Sequence, residues 1–471
     1  MKNNRRDFLK YTGLTGAGIL SGFSGHANEY DPSDNMISVE GRKQVFNMTG
    51  YAAPAVETLR LGFIGLGNRG PGHLGNASLL EGVEIKALCD LRPDSITAAQ
   101  KKIKGGGKHN PQIYTGNEDE WKKVCERKDI DVIYIATPWH LHTPMALYAM
   151  EHDKHVCVEI PAAVTIKECL QLVETSERTK KHCVMLENNC YDFFELMTLN
   201  MARQGFFGEI IHGECAYIHD LFDMNFSKTT YQDMWRLKQN AGRNGNLYPT
   251  HGLGPISQIM NINRGDKMEY LVSMSSNDFM MGEKAKELAS TDNFYKQFAD
   301  KKFRGNMNTT TIKTNKGRTI MLQHDVTSPR VYSRIHLVSG TKAAALKFPL
   351  PGRISVGHED WISDKELKVL EEKYQPAIVK KVGELAKQVG GHGGKDFLMN
   401  WRTIDCMRNG LPMDMDVYDA ALWSSMSPLS EQSVTNRSKT MDVPDFTGGN
   451  WKNNQPVDTS LSKGGNTAIR L

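Results

Sequence analysis

Between residues 60 and 188, short apolar runs alternate with amphipathic stretches. Residues 61–64, 83–89, 132–136, 155–159 and 183–186 read as buried strands, with helices expected over 73–80, from Pro93, over 143–150 and over 165–181. Apolar strands separated by helices of that length imply a parallel sheet joined by right-handed crossovers. The rhythm then changes. Period-two alternation marks strands at 210–218, 270–276, 309–314, 318–324 and 332–338, with Asn315-Lys-Gly317 as a hairpin turn. One long helix is expected over 364–389, ending in Gly390-Gly-His-Gly-Gly394, and two more over 396–408 and 417–427. The expected class is α/β: an N-terminal Rossmann dinucleotide-binding domain (59–188), then a C-terminal α+β domain with a largely antiparallel sheet (189–441). From residue 442 to 471 the chain is rich in Asn, Gly and Pro and is expected to wrap the surface.

The first apolar run leads into Gly65-Leu-Gly67-Asn68-Arg69-Gly70, a G-x-G-x-x-G turn in the strand-to-helix context that a dinucleotide requires. Gly65 permits the tight turn, Gly67 lets a pyrophosphate approach the backbone, and Gly70 lets helix and strand pack closely. The next strand ends at Asp90, suited to a ribose 2′-hydroxyl and unsuited to a 2′-phosphate. The implied cofactor is NAD.

Composition narrows the class of ligand. The 58 basic and 54 acidic residues are dispersed, with a formal net charge of +4, so no concentrated field points to nucleic acid or anionic lipid. A small molecule is the better default. Residues 1–27 carry Arg5-Arg6, a weakly apolar Gly-rich run and a small-residue site ending at Ala27, which resembles a twin-arginine export signal. That implies passage through the twin-arginine machinery and a periplasmic location, with 28–58 as a polar tether. No stretch approaches the roughly 18 apolar residues of a stable membrane span. The eight cysteines lack C-x-x-C spacing and read as reduced core thiols. No His/Cys/Asp cluster has metal-ligand spacing, and no Gly-x-Ser-x-Gly elbow occurs.

Three clusters fall at the ends of parallel strands, where open α/β sheets bind ligands: Thr137-Pro-Trp139-His-Leu-His142, Glu159-Ile160-Pro161 and Glu187-Asn188-Asn-Cys-Tyr191. Over residues 60 to 215 the chain resembles the oxidoreductases typified by glucose-fructose oxidoreductase and inositol dehydrogenase. Those dehydrogenases usually carry Glu-Lys-Pro, whose lysine assists proton removal from the alcohol; here Ile160 takes its place.

A narrower resemblance spans residues 60 to 400. Asn68-Arg69, Trp139 with His142, the Glu187–Tyr191 segment, Trp235-Arg236, Tyr248-Pro-Thr-His251-Gly-Leu-Gly254-Pro255, Ser328-Pro-Arg-x-Tyr332-Ser-Arg334 and the Gly390–Gly394 cluster look like glycosyl hydrolase family 109. Members act on N-acetylgalactosaminides, carry an apolar residue beside the acid of the Glu-x-Pro turn, and commonly have twin-arginine signals. The resemblance implies a redox-neutral hydrolysis. Hydride passes from C3 of the sugar to NAD, the C2 proton is lost, the glycosidic oxygen leaves C1, water adds, and the hydride returns.

By motif position, Gly65, Gly67, Asn68, Arg69, Asp90, Trp139, His142, Glu159, Ile160 and Asn188 would line a tightly held NAD. Tyr217, Arg236, Tyr248, Pro249, Thr250, His251 and Tyr332 would hold the sugar. His251 is the leading candidate for proton transfer, because an imidazole serves as base and then acid near neutrality. Tyr191, Tyr217 or Tyr248 could serve instead if a cation such as Arg236 lowered the phenol pKa. His392 could close over the sugar or simply end a helix. Two other functions fit the same nucleotide fold: a periplasmic NAD(P)-dependent sugar dehydrogenase, and a sugar-binding protein that keeps its nucleotide as a structural part. The broad antiparallel face leaves a homo-oligomer open.

Overall fold

Strands that are apolar on both faces need cover on both sides. In the computed structural model, which describes residues 32–35, 39, 41–104 and 109–470, they find it. Strands β1 (Leu59–Ile64), β2 (Val83–Cys89), β3 (Gln112–Tyr114), β4 (Val132–Ile135), β5 (His155–Val158) and β6 (Cys183–Met185) form one parallel sheet in the order β3-β2-β1-β4-β5-β6. The order reverses between β1 and β4. A crevice therefore opens beyond the C-terminal ends of those two strands, where doubly wound sheets bind nucleotides. Strand β3 was not expected from the pattern: it is three residues at the sheet edge, two of them exposed. The helix expected over 143–150 starts earlier, as Trp139–Glu151 behind Pro138, so both imidazoles of the 139–142 stretch lie on a helix rather than in a loop.

The second sheet holds β7 (Ile210–Ile218), β8 (Met268–Ser275), β9 (Asn308–Thr314), β10 (Thr319–Asp325), β11 (Ser333–Gly340), β12 (Ala343–Leu346), β13 (Arg353–Val356) and β14 (Met441–Asp442), in the order β13-β12-β11-β7-β10-β9-β8-β14. Only β7 and β10 run parallel; the other neighbours are antiparallel. The inner face packs under the helices Thr250–Ile259 and Val417–Thr435. The close fit of the first helix needs Gly252, where a Cβ would stand 2.5 Å from the Ala216 nitrogen. One continuous apolar core joins this layer to the parallel sheet. The outer face exposes Ile211, Tyr270, Val272 and Met274.

In the C-terminal domain two helices differ from the sequence reading. The long helix over 364–389 is two, Asp364–Tyr374 and Ala377–Val389, because Pro376 disfavours helical geometry at Gln375, which is non-helical at ψ 126°. The helix expected to stop at 427 instead runs through Pro428 to Thr435.

Residues 41–58 carry no helix or strand, but they are anchored rather than loose. The Met48 N–H donates to the Tyr418 hydroxyl at 3.2 Å, and the Thr49 hydroxyl donates to Asp416 at 2.6 Å. The tail returns to the first domain, where the Arg470 N–H donates to the Leu79 carbonyl at 2.7 Å. All eight cysteines are buried and free. No helix among the described residues is long and apolar enough to cross a membrane. The signal expected in residues 1–27 lies outside the described residues.

Candidate active site

At the end of β1 the chain turns at Gly65, with φ +87°. A Cβ there would stand 2.6 Å from the Ala136 carbonyl carbon, and one at Gly70 would stand 2.0 Å from the Gly65 oxygen. Packing therefore demands both glycines. Gly67 differs, because a Cβ there would meet only the Arg92 Nη2 at 3.6 Å. Its bare Cα leaves space in front of the helix Gly70–Ser78, where backbone N–H groups face an approaching pyrophosphate. Asp90 closes the turn by accepting from the Leu66 N–H at 2.7 Å and the Arg92 N–H at 2.9 Å.

Gly65, Gly67, Asn68, Arg69, Asp90, Trp139, His142, Glu159, Ile160 and Asn188 all line one cleft of about 2170 Å³. Asn188 bears on whether that cleft suits a nicotinamide. Its Nδ2 donates to Asp396 at 2.5 Å, while its buried Oδ1 has no hydrogen-bond partner. An acceptor left open on the cleft wall suits a carboxamide N–H. The residues present thus fit NAD.

The Arg69 guanidinium ties this wall together, donating to Glu159 at 2.8 Å and to Asp396 at 3.1 and 3.3 Å. Burial alone would raise both carboxyl pKa values. Arg69 with His73 at Glu159, and His392 with Arg69 at Asp396, hold them instead well below the usual carboxylate range. His142 is enclosed, its ring nitrogens 2.7 Å from the Pro161 carbonyl and 2.8 Å from the Thr137 carbonyl, so it brackets two strand-end loops.

The opposite wall is aromatic. Tyr217, near the end of β7, has its ring 4.5 Å from Tyr248 and 5.3 Å from His251, and the Tyr248 and His251 rings are 5.1 Å apart. The buried Arg236 guanidinium lies 5.0 to 5.2 Å from the rings of Tyr248, Tyr231 and Trp139. His251 donates from Nδ1 to fully buried Glu187, at 2.8 and 3.1 Å from its two oxygens. Burial would protonate Glu187, but the His251 contact wins and its pKa lies below the ordinary value. An ionised carboxylate only accepts, so the hydrogen sits on Nδ1 and Nε2 keeps its lone pair. Burial also lowers the His251 pKa against the pull of Glu187, leaving a neutral imidazole at pH 7.

Several sequence expectations need correction. Tyr191 does not face the cleft: its buried hydroxyl donates to Asp414 at 3.1 Å, so it is removed from the candidates for proton transfer. Pro249 and Thr250 form the start of the helix behind His251 and do not line the cleft. Tyr332 stands one ring back, 4.9 Å from His219. Arg236 does neighbour the phenols of Tyr217 and Tyr248, but burial outweighs its charge and pushes both pKa values up. At neutral pH both stay protonated and neither acts as a phenolate base. His392 lines the cleft on the Arg69 side, 2.7 Å from Asp396.

Glu187 and His219 are among the site residues that carried no assigned role in the sequence. Glu187 was visible within a motif, but its pairing with His251 spans 64 positions. His219 lines the cleft and bonds Tyr217 at 2.9 Å. Period-two alternation beyond Tyr217 would have put both on one face. Among the described residues, no group of three or more His, Cys, Asp or Glu could hold a metal ion.

A parallel sheet with a glycine turn at its switch point, joined to a mostly antiparallel sheet across one cleft, defines the class: a two-domain protein built on the NAD-binding oxidoreductase fold. Solved structures share it. Levoglucosan dehydrogenase in complex with NADH and levoglucosan aligns with TM-score 0.60 at 15% identity, over 82% of this chain and 100% of that one. Residues 59–187 match the oxidoreductase family with NAD-binding Rossmann fold, and residues 191–453 match the glycosyl hydrolase 109 C-terminal domain.

The chain belongs to glycosyl hydrolase family 109 and is a glycosidase. It is 45% identical over 464 residues to a glycosyl hydrolase family 109 protein of Shewanella pealeana, covering 97% of this chain and 99% of that protein. It is also 48% identical over 410 residues to a protein of Bacteroides fragilis named alpha-N-acetylgalactosaminidase, covering 86% of this chain and 96% of that one.

Proposed function

We propose that the protein releases terminal alpha-linked N-acetylgalactosamine from glycans, using a tightly held NAD that is reduced and reoxidised within each turnover. The observation that carries this reading is the meeting, in one cleft, of the glycine turn and the His251, Tyr217, Tyr248 and Arg236 cluster, with apolar Ile160 in place of a dehydrogenase lysine. The alpha-N-acetylgalactosaminidase name of the Bacteroides fragilis relative supports the choice of sugar.

NAD bound here would supply reversible acceptance of a hydride from the sugar. The chain's residues do the rest. Arg69 and Asn188 would hold the nicotinamide end, and Ile160 and Trp139 would keep water from it. Protonated Tyr248 donates a hydrogen bond to the sugar, beside the fixed positive charge of Arg236, and the Tyr217 oxygen accepts one from a sugar hydroxyl. His251, with Nε2 free and Nδ1 held by Glu187, takes the proton from C2 once the neighbouring carbon is a ketone, and the glycosidic bond breaks. It returns the proton after water has added. A cycle with no net redox change suits export with the cofactor already loaded, the reading we give to Arg5-Arg6 and the segment behind it.

The test uses nitrophenyl alpha-N-acetylgalactosaminide in deuterated water, without added NAD. The expected outcome is released sugar carrying deuterium at C2 and no accumulation of NADH. Unlabelled product would sink the mechanism, and stoichiometric NADH would favour a sugar dehydrogenase.

A further inference from the structure

Oxidising a carbinol and then deprotonating its neighbour takes two different protons from the sugar, one from oxygen and one from carbon. An imidazole that has accepted the first is a cation and cannot accept the second, so the cleft needs two acceptors. His251 is one. Ile160, on the cleft wall after Glu159, offers nothing basic.

Another acceptor stands across the same aromatic wall. The Tyr217 hydroxyl lies 2.9 Å from His219 Nδ1, and both residues line the cleft. His219 is half-buried, 4.9 Å from the Tyr332 ring, and solvent reaches it. The two pairs differ in kind. The Glu187–His251 pair presents a nitrogen lone pair directly, as removal of a proton from carbon requires. Tyr217 presents a hydroxyl, which exchanges protons readily with another oxygen and passes its own along.

We propose that Tyr217 and His219 form a second proton path, dedicated to the sugar hydroxyl that is oxidised, while His251 serves only the neighbouring carbon. This rests on the catalytic reading above. NAD, when bound, would take up the carbinol C–H electron pair as hydride while the sugar O–H bond breaks. That proton joins the Tyr217 oxygen as the Tyr217 proton moves to His219 Nδ1. A ketone and an imidazolium result, and the final reduction runs the same transfers backwards. Burial pushes the Tyr217 pKa up and the His219 pKa down, so the phenol remains a relay and the imidazole starts neutral.

The two paths separate in a single-turnover experiment on the NAD-loaded enzyme with nitrophenyl N-acetylgalactosaminide in deuterated water. It follows the near-ultraviolet absorbance of reduced nicotinamide and deuterium at C2. His219→Asn keeps an acceptor for the Tyr217 hydroxyl but no base, and should slow nicotinamide reduction about 100-fold; Tyr217→Phe should do the same. His251→Asn should reduce nicotinamide at the normal rate and then stall, with no deuterium at C2. Bound NAD and the thermal midpoint, both unchanged in His219→Asn, exclude misfolding as the cause. Nicotinamide reduction at the wild-type rate in His219→Asn would overturn the assignment alone. No transient and no deuterium in the wild-type enzyme would overturn the catalytic reading beneath it.

Discussion

At the scale of single residues, the pair Glu187 and His251 decides which nitrogen can act. Three influences meet on the imidazole: burial and the nearby cations Lys395 and Arg334 lower its pKa, and the Glu187 carboxylate raises it. Burial prevails. A base must be neutral to work, so kcat/KM should rise with pH through a midpoint below the ordinary histidine value and be flat by neutrality. In Glu187→Gln the one opposing influence is gone, so that midpoint should move to still lower pH. The plateau should also fall about 10- to 100-fold, since the amide can donate to Nδ1 and shift the lone pair away from the cleft. A pH–rate profile checks both, and an unmoved acid limb would remove Glu187 from this role. His251 was legible in the sequence from its Tyr-Pro-Thr-His setting. Glu187 was not, because a contact across 64 positions exists only after the helix Thr250–Ile259 docks on β7 and against the turn Asn188–Tyr191 that follows Glu187. Tyr191 misled for a related reason: its motif sits beside the cleft, but the 3-10 turn Asn188–Tyr191 aims its ring at Asp414.

At the scale of elements, strand, turn and helix at Gly65 to Gly70 show why some structure is readable locally and some is not. Long apolar runs declare β1, β2 and β4 without help from the rest of the fold. The three-residue β3 is a strand only because β2 lies beside it. The break at Pro376 was available in the sequence, but it was outweighed by the amphipathic pattern on either side. Within the turn, two glycines of identical appearance separate into different roles. Gly70→Ala drives a methyl group to 2.0 Å from the Gly65 oxygen, so the turn must open and the protein should lose both NAD and thermal stability. Gly67→Ala meets nothing closer than 3.6 Å. It should leave the thermal midpoint of the nucleotide-free protein essentially unchanged, while weakening NAD binding by about tenfold or more as the methyl occupies the space of a phosphate. Calorimetry on both variants, with and without NAD, would show whether fold and ligand need divide between these two positions.

At the scale of the whole molecule, the cleft stays assembled because charges from distant segments meet at Arg69. Glu159 comes from the end of β5, Asp396 from the helix Lys395–Asn409, and Asn188 from the junction between the domains. In the native protein both carboxyl pKa values are depressed. Their contribution is therefore fully present above the unfolded value of about 4 and is lost as pH falls through the lower folded values. Arg69→Gln reverses the situation. Two buried carboxylates would remain with His73 and His392 as their nearest basic groups, and burial would now raise their pKa values above those of the unfolded chain. The variant should be less stable than the native protein by about 2 kcal/mol near neutrality, since Arg69 is itself partly solvated. Below about pH 5 its carboxyls take up protons and relieve the repulsion, while those of the native protein stay ionised. The gap should therefore narrow as the solution is acidified. Urea unfolding of both nucleotide-free proteins across that range measures it. A gap that stays constant would mean that Arg69 contributes packing rather than charge to the union of the two domains.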